Sequence, residues 1–309
     1  MIEFSDVSYV YGRHTPFERV AVNNISFKIE DGLVTGIIGH TGSGKSTVAQ
    51  MMNALLAPTS GKVLLDGEDI NASPEVSYNS RFKVGIVFQY PEYQLFEETV
   101  EKDIAYGPSN MGLDEAEIKR RVEAAAEFVG LSKEVLKSSP FELSGGQKRR
   151  VAIAGVVAME PKVLVLDEPA AGLDPRGRSE ILGRLTEYRK NSKSSLVIIS
   201  HSMEDVAEYS DKILAMNDGR ILCSGTPEEV FSHYDELCSS GLALPQVTGI
   251  MNMVKTKCAE RGIEFDEKCG SMFTVEEAYD YLSKRLCGAD KKTGVNENGG
   301  AAGNTEEES

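Results

Sequence analysis

Gly39-His40-Thr41-Gly42-Ser43-Gly44-Lys45-Ser46-Thr47 decides how the chain reads. It follows an apolar run, Val34–Ile38, and opens a stretch, Ser46–Leu55, with helical character. In that setting the pattern G-x-x-x-x-G-K-[ST] is a phosphate-binding loop. Its glycines let the backbone curl so that N–H groups aim at phosphate oxygens, and the helix N-terminus adds its dipole. Gly39, His40, Thr41, Gly42, Ser43 and Gly44 supply the cradle. Lys45 is expected at the β- and γ-phosphates, the Ser46 hydroxyl at Mg²⁺ and Thr47 at the α-phosphate. A chance match in a chain this long is about one in a hundred.

Short β-branched runs recur outward from the loop: Val84–Phe88, Val163–Leu166, Leu196–Ile199 and Ile213–Met216. Helical stretches such as Asp114–Val129 and Pro175–Lys190 alternate with them. Strands alternating with helices predict an α/β phosphate-loop NTPase core with a mostly parallel sheet. Ile2–Tyr9, Ile25–Ile29 and Gly61–Asp66 alternate instead, which predicts an antiparallel β subdomain. The run Val163–Leu166 delivers Asp167 and Glu168 at its C-terminal end, where ligands bind in open parallel sheets. Asp167 is expected to hold Mg²⁺, and Glu168 to orient or deprotonate an attacking water.

Composition narrows the class. Lys+Arg 33 against Asp+Glu 48 leaves a charge of −15 over 309 residues, which disfavours a nucleic-acid coat. No apolar run reaches the roughly 18 residues of a membrane span, and the N-terminus lacks a secretory pattern. The chain is therefore expected on the cytoplasmic side. Its five cysteines, widely spaced and without a C-x-x-C pair, are expected to be reduced thiols rather than a zinc or disulfide framework.

Leu143-Ser144-Gly145-Gly146-Gln147 precedes an expected helix, Lys148–Met159, and so forms a second glycine-rich helix N-terminus. It resembles the signature of ATP-binding cassette (ABC) ATPases, and the other markers stand in family order. Gln89 follows a strand like the family's Q-loop, Gly172-Leu173-Asp174 follows the acids like its D-loop, and His201 follows a strand like its switch histidine. Tyr11 stands where the family places an aromatic residue under adenine. The resemblance implies that ATP is bound between two chains, with Ser144, Gly145, Gly146, Gln147 and Asp174 acting in trans. It also implies that His201 contacts the γ-phosphate and that Gln89 serves both catalysis and Mg²⁺.

Gln89–Val100, Asp103–Pro108, His14–Glu18, Ser139–Glu142 and Val151–Gly155 together are similar to the ATPases of energy-coupling factor (ECF) transporters, with Gly155 where most ABC importers carry Arg. The similarity is greatest to the second A-subunit type. It implies a peripheral subunit on the cytoplasmic face of the cell membrane, paired with a sister ATPase as a heterodimer or with itself. A transmembrane T component would dock beside the Q-loop, with Tyr90–Phe96 lining the groove, and an S component would bind a vitamin or transition-metal ion. Another ABC transporter class, or a soluble non-transport ABC ATPase, shares the same chemistry. The expected organisation is an ATPase domain over 1–234 with a helical subdomain at about 90–157, a helical region over 235–286 that extends the dimer contact or regulates it, and a disordered tail over 287–309.

Overall fold

The structure is a computed structural model that describes residues 1–192, 194–262 and 272–289. It divides into two compact units, Met1–Pro245 and Gln246–Ser309.

The first unit is built on two sheets. The strands in chain order are β1 (Ile2–Tyr11), β2 (Arg19–Ile29), β3 (Val34–Gly39), β4 (Ser60–Leu65), β5 (Glu68–Asp69), β6 (Val84–Val87), β7 (Val163–Asp167), β8 (Ser195–Ile199), β9 (Lys212–Asn217) and β10 (Arg220–Gly225). One sheet runs β2-β1-β4-β5 and is antiparallel; the other runs β10-β9-β3-β8-β7-β6. Strands β9, β3, β8, β7 and β6 are mutually parallel, and β10 pairs antiparallel at the edge. The α/β core with its antiparallel companion is thus the architecture that the sequence predicts.

Two differences have local causes. Strand β10 was not expected; Asp218 and Gly219, at φ 47° and 74°, turn β9 back on itself in a two-residue hairpin. Strand β2 begins at Arg19 rather than Ile25, because it pairs with β1 as far as Tyr11↔Arg19. That extension lays Tyr11 and Arg19 side by side.

The parallel sheet is buried on both faces, which is why its strands read as unbroken apolar runs. Val163 and Val165 of β7 face the cluster containing Val48, Met51 and Met52; Leu164 and Leu166 face the opposite cluster. The helices on this framework are α1 (Lys45–Met52), α2 (Pro74–Lys83), α3 (Val100–Asn110), α4 (Glu115–Phe128), α5 (Gly145–Val157), α6 (Pro175–Ser192), α7 (Met203–Tyr209), α8 (Pro227–Ser232) and α9 (Tyr234–Ser239). Helices α3, α4 and α5 occupy the segment expected as a helical insertion. Helix α5 starts at Gly145, three residues before the expected Lys148. Ser144 caps it and Gln147 reaches back to the Ser144 amide, so the capping pair draws both glycines into the first turn.

The unit continues past the expected boundary at 234, since Leu237 and Leu242 are buried within it. The second unit holds α10 (Gln246–Ala259) and α11 (Val275–Ala289). Met251 and Met272 pack with Val247, Ala278, Tyr281 and Leu282, and Thr248 Oγ1 donates to the Met272 carbonyl at 2.7 Å. Helix α11 takes in 287–289 of the expected tail; 290–309 lie outside the described residues. Among the described residues no helix is long and apolar enough to cross a membrane.

Candidate functional site

The loop between β3 and α1 needs its glycines for two distinct reasons. Gly42 and Gly44 adopt φ of 85° and 102°, a region that side chains disfavour. Gly39 has ordinary φ, but a Cβ there would lie 2.6 Å from the Met216 carbonyl oxygen. The first two shape the curl, while Gly39 lets the loop lie against β9.

Lys45 opens α1 with its side chain folded back over the loop. Its ammonium donates to the carbonyls of Gly39 at 2.7 Å and His40 at 2.9 Å. Burial pulls its pKa down, and the nearby carboxylates of Glu168 and Asp167 oppose that shift. Strand β7 ends on Asp167, which is nearly buried; desolvation raises its pKa while Ser46, Lys45 and His201 counteract the rise.

Glu168 follows at φ 54°, its amide donating to the Ile199 carbonyl at 2.9 Å. Burial first, and the Asp167 charge second, push its carboxyl up to about 7. His201 lies beyond the end of β8 with Nε2 3.4 Å from Glu168 Oε1. Burial lowers the His201 pKa, with Lys45 adding to the effect. The two shifts run in opposite senses, the carboxyl up and the imidazole down, and each disfavours the charged form of its group.

These groups share one cavity of about 350 Å³. Tyr11, Thr41, Gly42, Gly44, Lys45, Ser46, Thr47, Gln89, Asp167, Glu168 and His201 all line it, so eleven of the residues singled out from sequence converge there. Tyr11 is anchored by its hydroxyl, 3.2 Å from Thr47 Oγ1. Gly39, His40 and Ser43 do not line the cavity. His40 turns outward, its Nε2 2.9 Å from Asn217 Oδ1, and Ser43 is fully buried in the loop. Ser144, Gly145, Gly146, Gln147 and Asp174 also lie off this cavity. Ser144 and both glycines are exposed, and Asp174 caps α6 by accepting from the Gly177 amide at 2.6 Å.

Three residues escaped sequence reasoning. Arg19 and Ala21 line the same cavity from β2; only the strand's length, invisible without its pairing, would have pointed to them. Arg149, behind the signature, forms a two-pronged pair with Glu92 at 3.2 and 3.1 Å and donates to the Ala171 carbonyl. One buried guanidinium therefore ties α5 to the segment after Gln89 and to the segment after Glu168.

A separate groove of about 450 Å³ lies beside the Gln89 segment, with Phe82, Phe88, Leu95, Phe96, Tyr106 and Met159 in its walls. Of the expected Tyr90–Phe96 stretch only Gln94, Leu95 and Phe96 reach it. Tyr90 turns the chain at φ 56° into a short 3₁₀ turn, Pro91–Gln94, that points Glu92 inward at Arg149 and leaves Tyr93 85% exposed.

Residues 22–171 match the family described as ABC transporter. The chain is 50% identical to the energy-coupling factor transporter ATP-binding protein EcfA2 of Caldanaerobacter subterraneus subsp. tengcongensis, over 93% of this chain and 98% of that one. It is 52% identical to the protein of the same name from Clostridium acetobutylicum, over 90% of this chain and 95% of that one. A solved structure of cbiO1 from Clostridium perfringens, described as part of the ABC transporter complex cbiONQ, superimposes with a TM-score of 0.69. It covers 81% of this chain and 98% of its own at 39% identity.

Proposed function

Because the chain belongs to the energy-coupling factor transporter ATP-binding proteins, and so is an ATP-hydrolysing subunit of an ABC transporter, we propose that the 350 Å³ cavity binds MgATP and that hydrolysis there drives uptake of a vitamin or a transition-metal ion. The observation that carries this reading is the meeting of Lys45, Ser46, Asp167, Glu168 and His201 in one cavity at the ends of β3, β7 and β8.

The loop amides and the Lys45 ammonium receive the triphosphate, with Tyr11 under the base. Ser46 and Asp167, with Gln89 in the same cavity, are the groups for Mg²⁺. A hydroxyl and one buried carboxylate leave most of an octahedral shell to water and phosphate oxygens, the set that Mg²⁺ favours. When bound, the ion neutralises charge on those oxygens. Glu168 accepts the proton of the attacking water, and its elevated pKa suits a base working near neutral pH. His201, neutral there, hydrogen-bonds the γ-phosphate without adding charge.

The pocket is one-sided. Ser144, Gly145, Gly146, Gln147 and Asp174 complete the equivalent pocket of a second ATPase chain, where an exposed helix N-terminus supplies N–H donors to a triphosphate. The likeness to relatives named EcfA2 favours a heterodimer with a sister subunit. The chain would sit peripherally on the cytoplasmic face of the cell membrane, with its groove around Phe96 holding a transmembrane T component, while an S component takes the cargo.

Two experiments test this. In the full-length chain, Lys45→Ala is expected to weaken MgATP binding by about a hundredfold, read by equilibrium titration; unchanged binding would remove Lys45 from the site. In the assembled complex, Phe96→Asp places a charge at an apolar contact and is expected to abolish co-purification with the T component while leaving MgATP affinity intact. Recovery of the whole complex at wild-type yield would refute the groove as the docking surface.

A further inference from the structure

A cavity of about 460 Å³ lies apart from the phosphate cavity, between the end of α4, the first half of α5, and the Gly172–Asp174 loop with the first half of α6. Its walls are largely apolar, with Phe128, Ile153, Leu173, Ile181 and Leu185 among them. The volume suits a small molecule.

Three arginines reach this cavity, and two are committed. Arg149 holds Glu92 and the Ala171 carbonyl; Arg184 donates to the Phe128 carbonyl at 2.8 Å and to Glu180 at 3.2 Å. Arg150 differs: its Nε is buried with no hydrogen-bond partner among the described residues. Of the two acids in the walls, Glu180 pairs with Arg184, while Asp174 is exposed and accepts from the Gly177 amide. Arg150 Nε is thus a shielded donor without an acceptor at the wall of this cavity, which is unfavourable.

We propose that this cavity is a binding site for a small organic anion with an apolar body, its carboxylate or sulfonate on Arg150 and its body against Phe128, Ile153, Ile181 and Leu185, and that occupancy changes the rate of ATP turnover. The coupling is mechanical. Gly146 of the signature and Asp174 line the same cavity, so a ligand wedged between α5 and α6 selects one spacing of the two segments that face a companion subunit. Binding stands on the cavity alone; the effect on turnover rests on the ATPase reading.

The test uses the full chain and 8-anilinonaphthalene-1-sulfonate, an aromatic sulfonate that fluoresces in apolar surroundings. The chain has no tryptophan to interfere with the signal. Saturable binding at a single site per chain is expected, weakened about tenfold by Arg150→Met, which keeps the apolar stem, and unchanged by Arg13→Met in the exposed β1–β2 loop. Decanoate should displace the dye where decanol at equal concentration does not. This contrast needs no mutant and stands if Arg150→Met fails to fold. Decanoate should also shift ATP turnover of the assembled transporter by about twofold or more.

Unsaturable binding, equal affinity in Arg150→Met, or equal displacement by decanol would overturn the site. Loss of dye binding on adding the sister ATPase would overturn it too, in favour of a subunit contact. Dye binding as expected with turnover unmoved by decanoate would refute the coupling. A complex with no turnover before any addition would instead count against the ATPase reading.

Discussion

Glu168→Gln is expected to stop ATP turnover almost completely while leaving nucleotide binding in place. Glu168, its carboxyl pushed up to about 7, is the base we propose, and the amide cannot take a proton from water. General-base removal is worth about 10²–10⁴ in rate. Lys45, Ser46 and the loop amides, the proposed triphosphate cradle, are untouched. The variant should therefore trap the ATP-bound pair of ATPase chains, visible as a dimer by size-exclusion chromatography with MgATP. Turnover at the wild-type rate would remove Glu168 from catalysis.

The same substitution carries a second consequence of opposite sign. In the folded chain the carboxyl titrates at about 7, against an ordinary 4.5. The folded state holds the proton more tightly between those values, so the contribution to stability is complete below 4.5 and is lost as the pH rises through about 7. That separation corresponds to as much as about 3 kcal/mol. Glu168→Gln, neutral at every pH, should melt higher than wild type at pH 7.5, and the gap should close by pH 4.5. An equal difference at both pH values would show that ionisation of Glu168 is not the source. Catalysis here works against stability, a trade common where a charge must be kept poorly solvated.

Arg149→Met is expected to destabilise the first unit by about 3 kcal/mol, measured by denaturant unfolding. The cost is not simply a lost ion pair. Arg149 is 6% exposed and Glu92 17%, so removing the guanidinium strands a largely buried carboxylate and frees the Ala171 carbonyl. Adding Glu92→Gln should therefore recover part of the loss, because it removes the stranded charge. Turnover in the assembled complex should fall as well, since the same residue fastens the segments after Gln89 and after Glu168 to the signature helix. A loss no larger in Arg149→Met than in Glu92→Gln alone would mean that the pair carries no special weight.

The residues legible from their own pattern share one property, that their chemistry needs neighbours in the chain; Tyr11, Gln89 and His201, isolated positions, were placed by resemblance alone. A phosphate cradle requires successive backbone amides, so Gly39–Thr47 announces itself, although only the coordinates separate Gly42 and Gly44, which shape the curl, from Gly39, which lies against β9. A buried strand ending in two acids is likewise contiguous, and so is the capped, glycine-rich start of α5. The alternation of strands and helices then dictated a parallel sheet. The hairpin at Asp218-Gly219 was also there to be read, but β10 is half-buried and its apolar residues are too few to stand out.

What tertiary structure alone decided is everything that depends on which strands lie side by side. Glu168 and His201 meet because β7 and β8 pair in parallel with Asp167 opposite Ile199. Tyr11 touches Thr47, and Arg19 joins them, because β1 and β2 pair to their far ends. Arg149 finds Glu92 57 residues away; nothing local marks either as a partner. The groove around Phe96 and the cavity around Arg150 are likewise spaces between elements far apart in the chain, set by how apolar faces close on one another. A linear order of residues encodes propensities and contiguous motifs directly. Register, depth of burial, and hence the raised pKa of Glu168, arise only when the whole sheet has excluded water.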